Sequence, residues 1–166
     1  ALAAMPPDEH GLTVLPLVAG ERSPGWRGDA TATLHGLRLA TTSLDILRAG
    51  LESVIYRVAL CYDQLAPLLP WDHAVVAGGG ALTRSSIWPQ MLADVLARPV
   101  TVPDTGETSA RGAALLALEQ LGLVTDLAAV AHVPGPRFEP DPTRHDIYRR
   151  AVARQQDLYD RVMAER

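Results

Sequence analysis

At 166 residues with 48% apolar, the chain is long enough for one domain with a sizeable core. A net charge of -4 argues against a general nucleic-acid binder, and no apolar run approaches the roughly 18 residues that a membrane span needs. The basic residues are all arginine, so no P-loop lysine exists and a Walker-type NTPase is excluded; the lone Cys61 rules out an internal disulfide framework and suits a reducing cytoplasm.

Residues 1–11 are rich in Ala and Pro and read as a linking or disordered start. No initiator Met precedes them, and the expectation is a chain that begins inside a longer protein. Residues 12–19 read as an apolar strand interrupted by Pro16, near a sheet edge. A polar loop over 20–29 carries Glu21, Arg22, Pro24 and Trp26. A second strand is expected within 30–40. Ser43 is a suitable N-cap for a long helix, with Leu44, Leu47, Leu51, Val54, Ile55, Val58 and Leu65 at helical spacing. Pro67 and Pro70 end it.

Beyond Pro70, strands and helices alternate. Residues 73–77 read as a buried strand and 86–97 as a helix with Pro89 in its first turn, where a missing N–H costs nothing. A short strand follows at 99–102. A small-residue helix is predicted over 108–121, ending at Gly122, and a helical turn at 126–131. Residues 134–142 form a proline-rich connector, and 143–163 a terminal amphipathic helix. Alternation implies parallel pairing in this half, whereas the two early strands, joined without a helix, are expected to be antiparallel. The fold class is α/β, a mixed sheet flanked by helices.

The chemistry concentrates in two places. Gly78, Gly79 and Gly80 end a strand and a helix opens soon after, so a ligand's phosphate or sugar could approach bare backbone there. A tight strand-to-helix turn is the alternative reading. Gly112, Ala113, Ala114 and Ala117 form a small helix face, which either packs closely on a sheet or leaves room for a flat base. The second place is the loop containing Glu21 and Arg22: a substrate-facing element, or a solvated turn with a local ion pair. The eight aromatic residues are few, so Trp26, Trp71 and Trp88 read as core anchors more than as stacking platforms. No H-x-x-H or H-E-x-x-H pair occurs, and no metal site is expected. Cys61 reads as an inert buried thiol.

Together these residues resemble the C-terminal domain of the FGGY carbohydrate kinases, and within them the gluconokinase-like members. The resemblance covers nearly the whole chain. It rests on Ala32, Leu34, Gly36 and Leu37 followed by Asp45, Ile46, Ala49, Leu51 and Glu52. It rests also on G-G-G-A at 78–81 with W-x-Q-M-L-A-D at 88–94, and on Glu107, Ala110, Gly112, Ala113, Ala114 and Ala117. Gly50 departs from the family's better helix former. The loop G-E-R-x-P-x-W at 20–26 points towards gluconokinases.

This resemblance implies a ribonuclease H-like, actin-like ATPase fold. Residues 12–166 would be the nucleotide-binding C-terminal domain of a two-domain sugar kinase whose N-terminal domain is the partner. It places ATP, with Mg²⁺ held mainly by the phosphates and the other domain, beside Gly78, Gly79, Gly80, Ala81 and Arg84. Glu21 and Arg22 become candidates for the sugar cleft. No catalytic residue is expected here, because the family's D-x-G-[ST] phosphate loop and catalytic Asp precede the point where this sequence starts. The implied enzyme is cytoplasmic and phosphorylates a sugar or sugar acid, gluconate first; a homodimer is also compatible with it. A non-catalytic actin-like module and a xylulokinase-like enzyme are the other readings.

Overall fold

The computed structural model describes residues 1–104, 108–130 and 135–164. Strand β1 (Thr13–Leu15) pairs antiparallel with β2 (Thr33–His35), with Val14 opposite Leu34. Pro16 cannot donate to a ladder, so β1 is shorter than the apolar run that contains it.

Helix α1 (Ser43–Leu65) starts at a capping box. The Thr42 hydroxyl accepts from the Asp45 amide at 3.2 Å, and the Asp45 carboxylate accepts from the Thr42 amide at 2.8 Å. The cap thus lies one residue before Ser43, and the reciprocal pair satisfies two otherwise orphaned donors. At the other end Pro67 sits in a 3₁₀ turn that stops the helix.

A parallel pair follows, β3 (Val75–Val76) with β4 (Val100–Thr101), joined through α2 (Gly80–Thr83) and α3 (Trp88–Leu96). Pro89 lies in the first turn of α3, whose opening amides at Ile87 and Trp88 donate to the Ser85 hydroxyl. The strand expected to be buried is not: Val75 is half-buried and Val76 exposed, because β3 is an edge of its sheet. Helix α4 (Thr108–Gln120) comes next, with Gly122 in the left-handed region just beyond it. The connector hides a strand, β5 (Arg137–Phe138), antiparallel to β4. Helix α5 (Pro142–Ala164) closes the chain. The sheet order β3-β4-β5 is therefore mixed.

Two apolar clusters among the described residues hold these elements. The larger joins Tyr56 and Ala59 of α1, Met91 and Val95 of α3, Val100 of β4, and Tyr148 and Val152 of α5. The smaller joins Leu15, Leu17 and Ala30 to Tyr159 and Met163 of α5. Beside the larger cluster lies a buried polar knot around Glu52, which is 1% exposed. Its carboxylate accepts from Arg48 Nε at 2.5 Å, Tyr56 Oη at 2.9 Å and the His10 ring at 3.1 Å. Residues 1–11, read as a linker or loose start, are tied to this knot through His10 and through Asp8, which pairs with Arg154 of α5.

The aromatic expectations divide. Trp88 is half-buried against the larger cluster and donates its indole N–H to the Leu51 carbonyl at 3.2 Å. Trp26 and Trp71, expected as core anchors, are 75% and 86% exposed. Both lie in loops, where nothing packs over them. Cys61 is half-buried rather than enclosed, with its thiol 3.4 Å from the Ser23 hydroxyl.

Candidate functional site

Strand β3 delivers the chain to Ala77, whose amide donates to the Thr101 carbonyl of β4 at 2.9 Å. The three glycines then run exposed on the surface. Gly79 has φ +107°, a region that side chains rarely adopt, and it caps α2 directly. Its carbonyl is consumed by the Leu82 and Thr83 amides. Helix α2 therefore opens within the glycines, sooner than the sequence pattern implied.

On one side of this turn, a Cβ at Gly78 would meet the Thr108 side chain at 3.0 Å, so α4 begins hard against it. On the other, the Arg84 guanidinium lies 3.9 Å from where a Gly80 Cβ would stand. Arg84 is exposed, and its guanidinium has no hydrogen-bond or ion-pair partner among the described residues. Nothing lies within 4 Å of a Cβ placed at Gly79 or Gly112. The bare backbone of the turn thus has an uncommitted cation beside Gly80 and the first residue of α4 against Gly78. That set can take a flat, partly anionic ligand without any side chain moving aside. Glu107 lies outside the described residues.

Glu21 and Arg22 are parted by the fold. Glu21 is 6% exposed, and its carboxylate accepts from the Arg57 guanidinium of α1 and from the Tyr159 hydroxyl of α5 at 2.5 Å. Burial first, then the bond and charge of Glu21, push the Tyr159 phenol up to about 12. Arg22 is exposed, and its side chain has no partner among the described residues. A local Glu21–Arg22 ion pair is therefore not formed, and Arg48 and Glu52 bind each other rather than the loop. No hydrogen bond or ion pair joins the loop to the glycine turn among the described residues.

Sequence reasoning overlooked Arg57 and Tyr159. No local signal marks Arg57, which shares its helix face with Ser53 and Cys61 and is buried only where the loop and α5 pack on α1.

One group among the described residues has the spacing of a cation site: Asp8, His10 and Glu52. Its charges are already matched, Glu52 by Arg48 and Asp8 by Arg154. The His10 Nδ1 accepts from the Leu12 amide at 3.0 Å, which leaves Nε2 to donate to Glu52. This donor set fits a hydrogen-bonded brace and not a metal. No helix among the described residues is long and apolar enough to cross a membrane.

Residues 1–121 match the family described as the FGGY family of carbohydrate kinases, C-terminal domain. A gluconokinase of Bacillus subtilis is 31% identical over 136 residues, covering 82% of this chain and 26% of that protein. A glycerol kinase of Koribacter versatilis is 36% identical over 137 residues, covering 80% and 27%. Among solved structures, a xylulose kinase from Rhodospirillum rubrum superposes with a TM-score of 0.80 at 30% identity, over 98% of this chain and 33% of that one. A gluconate kinase from Lactobacillus acidophilus gives 0.83 at 23% identity, over 97% and 33%. These neighbours share the actin-like, ribonuclease H-like architecture. The chain spans about a quarter to a third of the length of such relatives. It belongs to the FGGY family of carbohydrate kinases and corresponds to their C-terminal domain.

Proposed function

We propose that this chain is the ATP-binding half of a kinase that moves the γ-phosphoryl group of Mg-ATP to a hydroxyl of a sugar acid, gluconate foremost. The observation that carries this reading is the exposed backbone of Gly78, Gly79 and Gly80, flanked by Arg84 and by the first residue of α4. Phosphoryl transfer needs positioning and charge stabilisation more than covalent help from protein. In this role the glycine turn admits the adenosine and Arg84 supplies a cation near it. Mg²⁺ is left to the phosphates and to the N-terminal domain of the kinase.

Helix α4 buries none of its residues, and Leu116, Leu121 and Leu123 in and after it are more than half exposed. Such an apolar surface suits a partner domain that covers it. Domain closure would then exclude water from the transferring phosphoryl group. Gluconate is favoured over other sugars by the loop 20–26, which presents Arg22 outward, because a guanidinium grips a carboxylate through two parallel bonds. The kinase so built is assigned to the cytoplasm.

The test has two parts. The isolated chain is expected to give no turnover of gluconate above a no-enzyme control, because phosphoryl transfer needs both walls of the cleft to position its reactants. The full-length kinase, assayed on gluconate, xylulose and glycerol with ATP, is expected to favour gluconate. Preference for glycerol or xylulose would move the substrate assignment. Absence of any ATP-dependent phosphorylation would favour a binding module.

A further inference from the structure

The loop 20–28 is fastened from beneath. The Glu21 amide donates to the Arg27 carbonyl at 2.8 Å, which closes the loop on itself. The two oxygens of the Glu21 carboxylate go to different helices: Oε1 to Arg57 of α1, Oε2 to Tyr159 of α5. The Arg57 guanidinium also lies over the Tyr159 ring, 4.8 Å from its centroid, so the three groups form a closed triangle. Nε and Nη1 of Arg57 are buried without a hydrogen-bond partner, and Glu21 is the counter-charge to the guanidinium. The loop lies so tightly on this triangle that Gly25 has no room for a Cβ beside the Tyr159 hydroxyl and the Glu21 carboxylate. The outer surface differs entirely. Arg22 is exposed with its side chain unpartnered among the described residues, and Trp26 is exposed with φ +55°.

Burying an ion pair adds little net stability compared with apolar packing; what it adds is a defined geometry. A loop held only for stability needs no buried guanidinium with two unused nitrogens. A non-glycine residue kept at positive φ with its indole in solvent is the other sign of a surface shaped for a ligand.

We propose that Arg57 and Tyr159 are positioning residues for sugar binding: they grip Glu21 and so present Arg22 and Trp26 to the sugar. This rests on the reading of the loop as the sugar-facing wall. Arg22 supplies donors to a carboxylate or hydroxyl, and the Trp26 face covers the C–H side of the sugar. Arg57 and Tyr159 touch no substrate and act through the loop.

The experiment uses the full-length kinase with gluconate and the variants Arg22→Gln, Tyr159→Phe, Gly25→Ala, Arg57→Met and Arg22→Gln combined with Tyr159→Phe. Tyr159→Phe and Gly25→Ala are expected to raise KM for gluconate about tenfold, the size of one charge-assisted hydrogen bond, and to leave KM for ATP unchanged. Trypsin should cut the native protein faster after Arg22 or Arg27 in both. The double variant should be no worse than the more impaired of its two single variants. Arg57→Met removes the partner of a buried carboxylate and can unfold the chain, so the two milder variants carry the test. If Arg22→Gln leaves the gluconate KM unchanged, the sugar-wall reading fails. If Arg22→Gln raises it but Tyr159→Phe and Gly25→Ala do not, or the double effect multiplies, the wall stands and the positioning role is overturned.

Discussion

Gly78 and Thr108 are packed so closely that a Cβ on the glycine would stand 3.0 Å from the threonine methyl and 3.1 Å from its hydroxyl. This contact sets the first turn of α4 against the end of β3, and so fixes the floor of the proposed ATP site. Gly80, two residues on, faces open space with only Arg84 nearby. The neighbouring glycines therefore make different predictions.

Gly80→Val is expected to leave the thermal midpoint of the chain almost unchanged, because its side chain meets no packed neighbour. In the full-length kinase the same change should raise KM for ATP several-fold more than KM for the sugar. Equal effects on both substrates, or none, count against placing adenosine here. Gly79→Ala is different in kind: φ +107° strains any side chain, and a loss of about 1–3 kcal/mol is expected in chemical denaturation.

Gly50 lies inside α1, and a Cβ placed there would meet nothing within 4 Å. Gly50→Ala should therefore stabilise the chain by about 1 kcal/mol through helix propensity alone. Urea denaturation followed by circular dichroism measures this. A destabilised variant means that the position is closed by something the structure does not place there.

Trp88→Ala should cost about 3 kcal/mol, the low end for core aromatics, because the ring is half-buried. The indole packs on the larger apolar cluster, and its N–H satisfies the Leu51 carbonyl. A variant as stable as the parent but with weakened ATP binding would show that Trp88 is a stacking platform instead.

Acid sensitivity is expected from Glu52. Burial alone would raise its carboxyl, but the His10 hydrogen bond and the Arg48 charge outweigh burial and hold it below the ordinary 4.5. A folded value below the unfolded one stabilises the fold above about pH 4.5, and that contribution is lost as pH falls through the folded value. The urea midpoint should drop through this acid window. Glu52→Gln should lower stability near neutrality and flatten the drop. An unchanged slope in Glu52→Gln assigns acid denaturation to other carboxylates.

Local signals alone determined much of this protein. Helix α1 is legible in its apolar spacing and its end in Pro67, but its cap is Thr42 rather than Ser43 and its buried face is not the apolar stripe: Leu44, Leu47, Val54, Val58 and Leu65 are exposed, whereas Arg48, Glu52 and Arg57 are buried. Pro89 marks the first turn of α3, and Gly122 follows α4. The exposed glycine turn is likewise legible, because only residues without a Cβ leave backbone open at a strand end. Strand β5 was not: two residues between prolines carry no periodicity, and only pairing with β4, distant in sequence, makes them a strand. The exposure of Trp26 and Trp71 was also hidden, since composition favours burying a tryptophan while the fold leaves both in loops. Least legible was the partner of Glu21. Its neighbour Arg22 turns to solvent, and the acid is met by Arg57, 36 residues away, and by Tyr159, 138 residues away. Periodicity marks α1 as a helix, but the face it buries is set by what packs against it. Which buried charge meets which is decided only when α1 and α5 pack on the loop, because a carboxylate withdrawn from water must find its cation in three dimensions.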